Sequence, residues 1–262
     1  MNLENRDGWD EHWSNLNDIT MLNPAQHYRH KLLIEALAEC IALRPYRANI
    51  YDFGSGQGDL VAMLASKFSG RSFTGLELSG VGVEISKAKA PTAKFRQCNL
   101  LEDSPPHTDL YGQCNIGICA EVLEHLDEPR KMLSVIKRYL APGALLIITV
   151  PSGPMNSFEK AIGHRKHYQP EELMALVESA GLSVLRVQRA GFPFFNLYKL
   201  VALMRGEKLR SDANGNSGVH GLMMFVLRVF DFLFERFNFR NSPFGWQLML
   251  IAEKPSGEAG SF

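Results

Sequence analysis

Apolar residues recur at helical spacing between Pro24 and Leu43 (Leu32, Leu33, Ile34, Leu37, Ala38, Ile41, Leu43), which predicts an amphipathic helix. From residue 49 the pattern changes to short apolar runs that alternate with helical stretches. NIYDF (49–53) reads as a strand and LVAMLASKF as the helix after it; SFTGLEL (72–78) and VGVEISKAKA repeat that order. AKFRQCNL (93–100) and CNIGICA (114–120) are two further strands. PRKMLSVIKRYL is a helix stopped by Pro142-Gly143, and ALLIITV (144–150) is a fully apolar strand. PEELMALVESAGL is a helix ending at Gly181, and SVLRVQRA (183–190) and GWQLMLIAEK (245–254) are the last strands. Strands alternating with helices predict βαβ units, and hence an α/β, doubly wound, Rossmann-like sheet of seven mostly parallel strands.

Residues 191–244 break the alternation. Ten of the sixteen phenylalanines lie there, and Asn214, Gly215, Asn216 and Gly218 read as a loop. LMMFVLRVFDFLFERF (222–237) is apolar apart from Arg228, Asp231, Glu235 and Arg236, so it reads as a helix with one narrow polar stripe. The expected organisation is an N-terminal helical segment (1–45), a core (46–190), a helical cap inserted before the final strand (191–244), the closing strand (245–254) and a polar tail (255–262).

Composition narrows the function classes. The chain has 262 residues with 28 basic and 28 acidic side chains, so clustered excess charge for holding nucleic acid is not expected. Cys40, Cys98, Cys114 and Cys119 form no CxxC pair and read as reduced, buried thiols of a cytoplasmic protein. The polar start, MNLENRDGWDEHW, does not resemble a signal or transit peptide, and no apolar run is long enough to span a bilayer.

The sharpest motif is Tyr51-Asp52-Phe53-Gly54-Ser55-Gly56-Gln57-Gly58-Asp59, between a strand and a helix. Glycines let the backbone turn tightly and approach a ligand, and the helix start offers unpaired N–H groups. A dinucleotide-binding GxGxxG would place a small residue where Asp59 stands. Asp52 would repel a pyrophosphate but suits an ammonium group. Glu77, nineteen residues beyond Gly58, ends the next strand, where a carboxylate accepts from both ribose hydroxyls. Together these predict an adenosine-type ligand with a cationic, amino-acid-like end and no phosphates. The competing reading is a βα turn with no ligand.

On these residues the chain resembles the class I S-adenosylmethionine-dependent methyltransferases, from about residue 30 to 190 plus the closing strand. DFGSGQG looks like the family's first motif, and Glu77-Leu78 in GLELS matches the ribose-binding acid and its neighbour. Asn99-Leu100 sits where the family has an Asp-containing adenine contact; Asn99 can equally be a turn residue. Cys119-Ala120-Glu121-Val122-Leu123-Glu124-His125-Leu126 resembles the fourth motif of a subgroup that includes ubiquinone-type O-methyltransferases. The resemblance implies an antiparallel last strand, S-adenosylmethionine held by Asp52, Gly54, Ser55, Gly56, Gly58, Glu77, Leu78, Asn99, Leu100, Ala120 and Glu121, and in-line methyl transfer to an acceptor.

Glu121, Glu124 and His125 fall at i, i+3 and i+4, one face of a helix. His125 or His167 could serve as general base for an acceptor hydroxyl, with His164 beside the substrate. The resemblance adds a second use, since some relatives complete such a triplet with a downstream histidine and hold a divalent metal; capping and packing of the turn is the third reading. In the cap, Phe192, Phe194 and Phe195 either line an apolar acceptor pocket or pack the cap onto the sheet. Arg205, Lys208, Arg210, Arg228, Arg236 and Arg240 flank it, so an anionic, glycan- or lipid-linked acceptor and peripheral membrane contact are open, beside a plain small molecule. An NAD(P)-dependent oxidoreductase and a non-catalytic scaffold are the rival readings.

Overall fold

The computed structural model describes residues 8–10, 13, 23–43, 48–102, 105–155, 159–160, 162–205, 226, 228–234 and 236–257. The expected loop at 214–218, Lys208, Arg210 and the end of the tail lie outside the described residues.

Seven strands form one sheet: β1 (Asn49–Phe53), β2 (Ser72–Glu77), β3 (Lys94–Gln97), β4 (Cys114–Ala120), β5 (Leu140–Pro151), β6 (Ser183–Ala190) and β7 (Gln247–Glu253). Their order is β3-β2-β1-β4-β5-β7-β6, with β7 antiparallel to both neighbours and the other pairs parallel. The central strands are apolar on both faces because both are covered: Phe53, Ile116, Ile118, Leu146, Ile147, Ile148 and Leu250 have no more than a trace of exposed surface. The edges carry charge instead, Lys94 and Arg96 on β3 and Arg186 and Arg189 on β6, which discourages pairing with a further chain.

The helices are α1 (Pro24–Leu43), α2 (Asp59–Lys67), α3 (Gly80–Lys89), α4 (Pro129–Tyr139), α5 (Pro170–Ser179) and α6 (Phe194–Arg205). One face of the sheet packs on Leu133, Ile136 and Tyr139 of α4 and Leu173 and Val177 of α5. The other packs on Leu32, Leu33 and Leu37 of α1, Leu64 of α2, Val83 of α3, and Phe195 and Phe234 of the cap. The N-terminal helix is thus part of the core, each of its buried leucines contributing about 2 kcal/mol of burial. A reciprocal capping box opens α5: the Gln169 amide donates to Glu172 Oε2 at 3.0 Å while the Gln169 side chain takes the N3 amide.

Three expectations need correction. The helix before β5 ends at Tyr139, and the strand already starts at Leu140, which pairs with Cys114 before a register shift that accommodates Pro142-Gly143. The strand expected over 93–100 is confined to Lys94–Gln97, because Asn99 turns the chain. Glu121, Glu124 and His125 do not share an α-helical face: Glu121 has φ +56°, and only Leu123–His125 form a single 3₁₀ turn.

The strand order reverses between β1 and β4. In a doubly wound sheet this opens a crevice at the carboxyl ends of those strands, where Asp52 and Glu121 emerge.

Candidate functional site: an acid-lined glycine cradle and a histidine cluster

The β1–α2 turn is hung on β2. The Gly54 amide donates to the Leu76 carbonyl at 2.7 Å, the Ser55 amide to the same oxygen at 3.2 Å, and the Gly56 amide to Glu77 Oε2 at 2.8 Å. Glu77 Oε1 accepts from the Ser79 amide at 2.9 Å. One carboxylate therefore fixes the glycine turn and the start of α3 together. Gly58 must be glycine on two counts: its φ is +79°, and a Cβ there would meet the Ser86 side chain at 2.7 Å and its Cα at 3.0 Å. Asp59 does not face the turn's ligand side as a small residue would; it pairs with Lys89 at 2.7 Å.

Asp52 is 5% exposed and Glu77 6%. Burial, with Glu77 adding repulsion, pushes the Asp52 carboxyl up to about 7. Burial also raises Glu77, against the pull of the Ser79, Gly56 and Leu78 amides and the Trp13 indole. No cation of the described residues is paired with either acid. Two adjacent acids held without a counter-charge, beside backbone amides, form a site built for a ligand that brings positive charge and hydroxyl donors.

Asp10, Trp9 and Trp13 close this cradle, and the sequence reading did not single them out for it. Asp10 accepts a hydrogen bond from the Ser79 hydroxyl, and the Trp13 ring lies where a Cβ on Gly56 would be, 2.8 Å away. Trp9 is 6.1 Å from Trp13 and meets His125 edge-on at 5.1 Å between centroids. Two tryptophans four apart in an otherwise polar stretch were the available signal.

The remaining cofactor candidates are distributed unevenly. Ser55 is buried, Leu78 and Ala120 are half-buried, and Leu100 belongs to the core. Asn99 accepts from the Leu101 amide at 3.0 Å, the turn role. Glu121 is tied to Gln247 on β7 at 2.7 Å and lies 3.6 Å from Arg29 of α1.

Across the crevice, His125, His164 and His167 come together from two connections. The His125 and His164 rings meet edge-on at 4.7 Å, and His164 Nδ1 lies 3.1 Å from His167 Nε2. Burial pulls His164 down to about 3, with repulsion from His125 and His167 adding to it, and burial lowers His167 as well. Both are neutral at pH 7. Glu124 is wholly buried and its carboxyl is pushed well up by burial and by Glu121. Glu159 lies 3.8 Å from His167 and is paired at 2.8 Å with Lys199 of α6, a cap residue that reaches this cluster. Neither Glu159 nor Lys199 was singled out from the sequence, since no local motif contains them.

Of the phenylalanines expected around an acceptor, Phe192 and Phe194 are half-buried and Phe195 is wholly buried. Phe195 has no exposed surface and packs on Tyr28 at 5.3 Å and Phe234 at 5.9 Å, so it fastens the cap to α1 instead of lining a pocket. Phe192 packs with Phe239 and Phe244, and Phe194 with Phe237. The ring contacts of these three are thus with the cap and α1.

Comparison with known proteins agrees with this geometry. Residues 25–187 match the model of a family described as a methyltransferase domain. Trans-aconitate 2-methyltransferase of Deinococcus radiodurans is 29% identical over 135 residues, 50% of this chain and 49% of that protein. Ubiquinone biosynthesis O-methyltransferase of Aeromonas salmonicida is 26% identical over 171 residues, 58% of this chain and 70% of its own. The match thus spans about half the length of the first relative and more of the second. A TehB-like SAM-dependent methyltransferase from Corynebacterium glutamicum shares the fold with a TM-score of 0.52 at 15% identity, covering 93% of this chain and 95% of that one. With its family match running from α1 through β5 and into β6, over more than half of its length, the chain belongs to the methyltransferase-domain family.

Proposed function

We propose that this protein transfers the methyl group of S-adenosylmethionine to an oxygen of a small molecule or of a glycan- or lipid-linked acceptor. The observation that carries the reading is the pair of buried acids, Asp52 and Glu77, that hold the ligand side of a glycine turn with no cationic partner among the described residues. The methionine ammonium answers Asp52, the ribose hydroxyls donate to Glu77, and the half-buried Leu78 and Ala120 border the adenine. The name of the ubiquinone-pathway relative supports oxygen as the acceptor atom.

The acceptor oxygen attacks the sulfonium methyl in line, the carbon–sulfur bond breaks, and S-adenosylhomocysteine leaves. Alignment of nucleophile and methyl supplies most of the acceleration. The acceptor proton passes to the histidine cluster, of which His125 and His167 are the candidate bases. The cap surface that a larger acceptor meets carries the exposed Phe232, Phe239 and Phe244 with Arg228 and Arg236. Among the described residues no helix is long and apolar enough to cross a membrane.

The test is to incubate the protein with methyl-labelled cofactor and fractionated cell extract. Label moving to a base-stable, small or glycan-linked product supports the reading. Cofactor that is bound and never turned over in any fraction contradicts it.

A further inference from the structure

The cap turns polar side chains inward and apolar ones outward. On α6, Lys199 pairs with Glu159 at 2.8 Å, and Asn196 donates to the Phe244 carbonyl at 2.6 Å while its Oδ1 accepts from the Trp246 amide at 3.1 Å. Leu197, Leu200 and Val201 of the same helix are exposed. The helical residues beyond 225 repeat the inversion. Asp231 lies 3.1 Å from His27 of α1, whereas Val226, Val229 and Phe232, at i, i+3 and i+6, are exposed. A helix that faces only water shows the opposite arrangement.

The outward residues adjoin one another. Of the eleven large hydrophobic side chains exposed among the described residues, nine lie between 197 and 244. Phe232 meets Phe237 at 6.0 Å between centroids, and Phe237 meets Phe194 at 6.2 Å, one turn before Leu197. Phe192 stands between Phe239 at 6.5 Å and Phe244 at 5.5 Å. Asn238 joins the two rows: it lies between Phe237 and Phe239, and its Oδ1 accepts from the Phe194 amide at 2.9 Å and the Phe195 amide at 3.2 Å. Phe232, Phe239 and Phe244 are 60%, 59% and 63% exposed. Single exposed apolar residues are ordinary, but a contiguous patch marks a surface that meets an apolar phase or partner.

Charge decides which. Residues 191–244 carry seven basic and four acidic side chains, against 21 and 24 in the rest of the chain. A protein that is neutral as a whole is therefore positive where it is apolar. Arg228 and Arg236 are exposed beside Val229 and Phe232, with no acidic partner among the described residues. Arginine stems can lie along an apolar face while their guanidinium groups reach lipid phosphates. A twofold contact with a second copy would instead set these like charges against each other.

We propose that the cap docks on an anionic lipid surface, its exposed phenylalanines entering the headgroup boundary and Arg228 and Arg236 meeting the phosphates. β6 runs parallel to β5, so the cap leaves the sheet at the carboxyl ends of the strands, where the crevice opens. Docking places that opening beside the lipid. Its use in reaching a lipid-linked acceptor rests on the methyl-transfer reading; the docking itself does not.

The experiment sediments the full chain with vesicles of phosphatidylcholine alone and with vesicles containing about one third phosphatidylglycerol. Thermal melting, light scattering and S-adenosylmethionine calorimetry run beside it. The protein is expected on the anionic vesicles, less so as salt rises. Arg228→Gln and Arg236→Gln each lower that partition by about fivefold, and Phe232→Ser and Phe239→Ser each by about tenfold, with melting near wild type. Should a phenylalanine variant fail to fold, the two arginine variants give the readout from exposed positions. No binding, equal binding to both vesicle types, or undiminished binding by a folded Phe232→Ser or Arg236→Gln overturns the proposal. A concentration-dependent dimer that Phe232→Ser dissolves, without vesicle binding, gives the face to a second copy and overturns it too. Vesicle binding by a chain that binds no S-adenosylmethionine keeps the docking surface and overturns the methyl-transfer reading instead.

Discussion

The two sides of the crevice are built differently. The cradle side is one continuous stretch, β1, turn, α2 and β2, in which Glu77 accepts from the Gly56 amide across a parallel strand pair. The histidine side joins the turn after β4 to the connection between β5 and α5, and then to the cap through Lys199. The cradle gathers two acids with no cation paired to them among the described residues; the cluster mixes imidazoles with carboxyls. On the proposed reading, donor recognition is written in a local motif, whereas acceptor chemistry depends on tertiary assembly.

The largest test of that contrast is pH. Asp52 is raised from 3.8 to about 7, so the folded, ligand-free protein binds a proton that the unfolded chain has lost. Its contribution to stability is complete below about pH 4, declines as pH rises and is gone above about 7, a change of about 4 kcal/mol. Urea melts between about pH 4 and 8 should show it, and Asp52→Asn should flatten the profile by that amount. S-adenosylmethionine, which needs the ionised acid, should bind more tightly as pH rises to about 7 and then level off.

Next in size, Asp52→Ala and Glu77→Ala should each weaken S-adenosylmethionine by about 2–3 kcal/mol, the scale of a hydrogen bond to a charged group, as read by calorimetry. Glu124→Gln should leave that affinity unchanged; a comparable loss there would dissolve the distinction between the two sides. Gly58→Ala should destabilise the fold by about 2 kcal/mol through its positive φ and the Ser86 contact, in thermal melts. Smallest, Trp13→Ala should cost about 1 kcal/mol of cofactor affinity, mainly as faster release, because it removes a cover and no charge partner.

The same contrast explains what could be read from the chain beforehand. Period and turn chemistry marked all seven strands, and the spacing from Gly58 to Glu77 located both acids, since one βαβ unit contains them. The Glu121–His125 stretch misled because its i, i+3, i+4 spacing assumes an α-helix, while Glu121 adopts φ +56° and the turn is 3₁₀. Glu159, Lys199 and the Trp9–Trp13 cover carry no local pattern tying them to the crevice. Phe195 looked like lining because aromatic residues serve pockets and cores alike; its contact with Tyr28 decides for the core.

The most direct measurement is calorimetric titration of S-adenosylmethionine into the full chain at pH 8, beside Glu77→Ala. The account predicts one site per chain, with affinity reduced by about 30-fold or more in the variant. No heat of binding at millimolar cofactor, or equal binding by a folded Glu77→Ala, would contradict it.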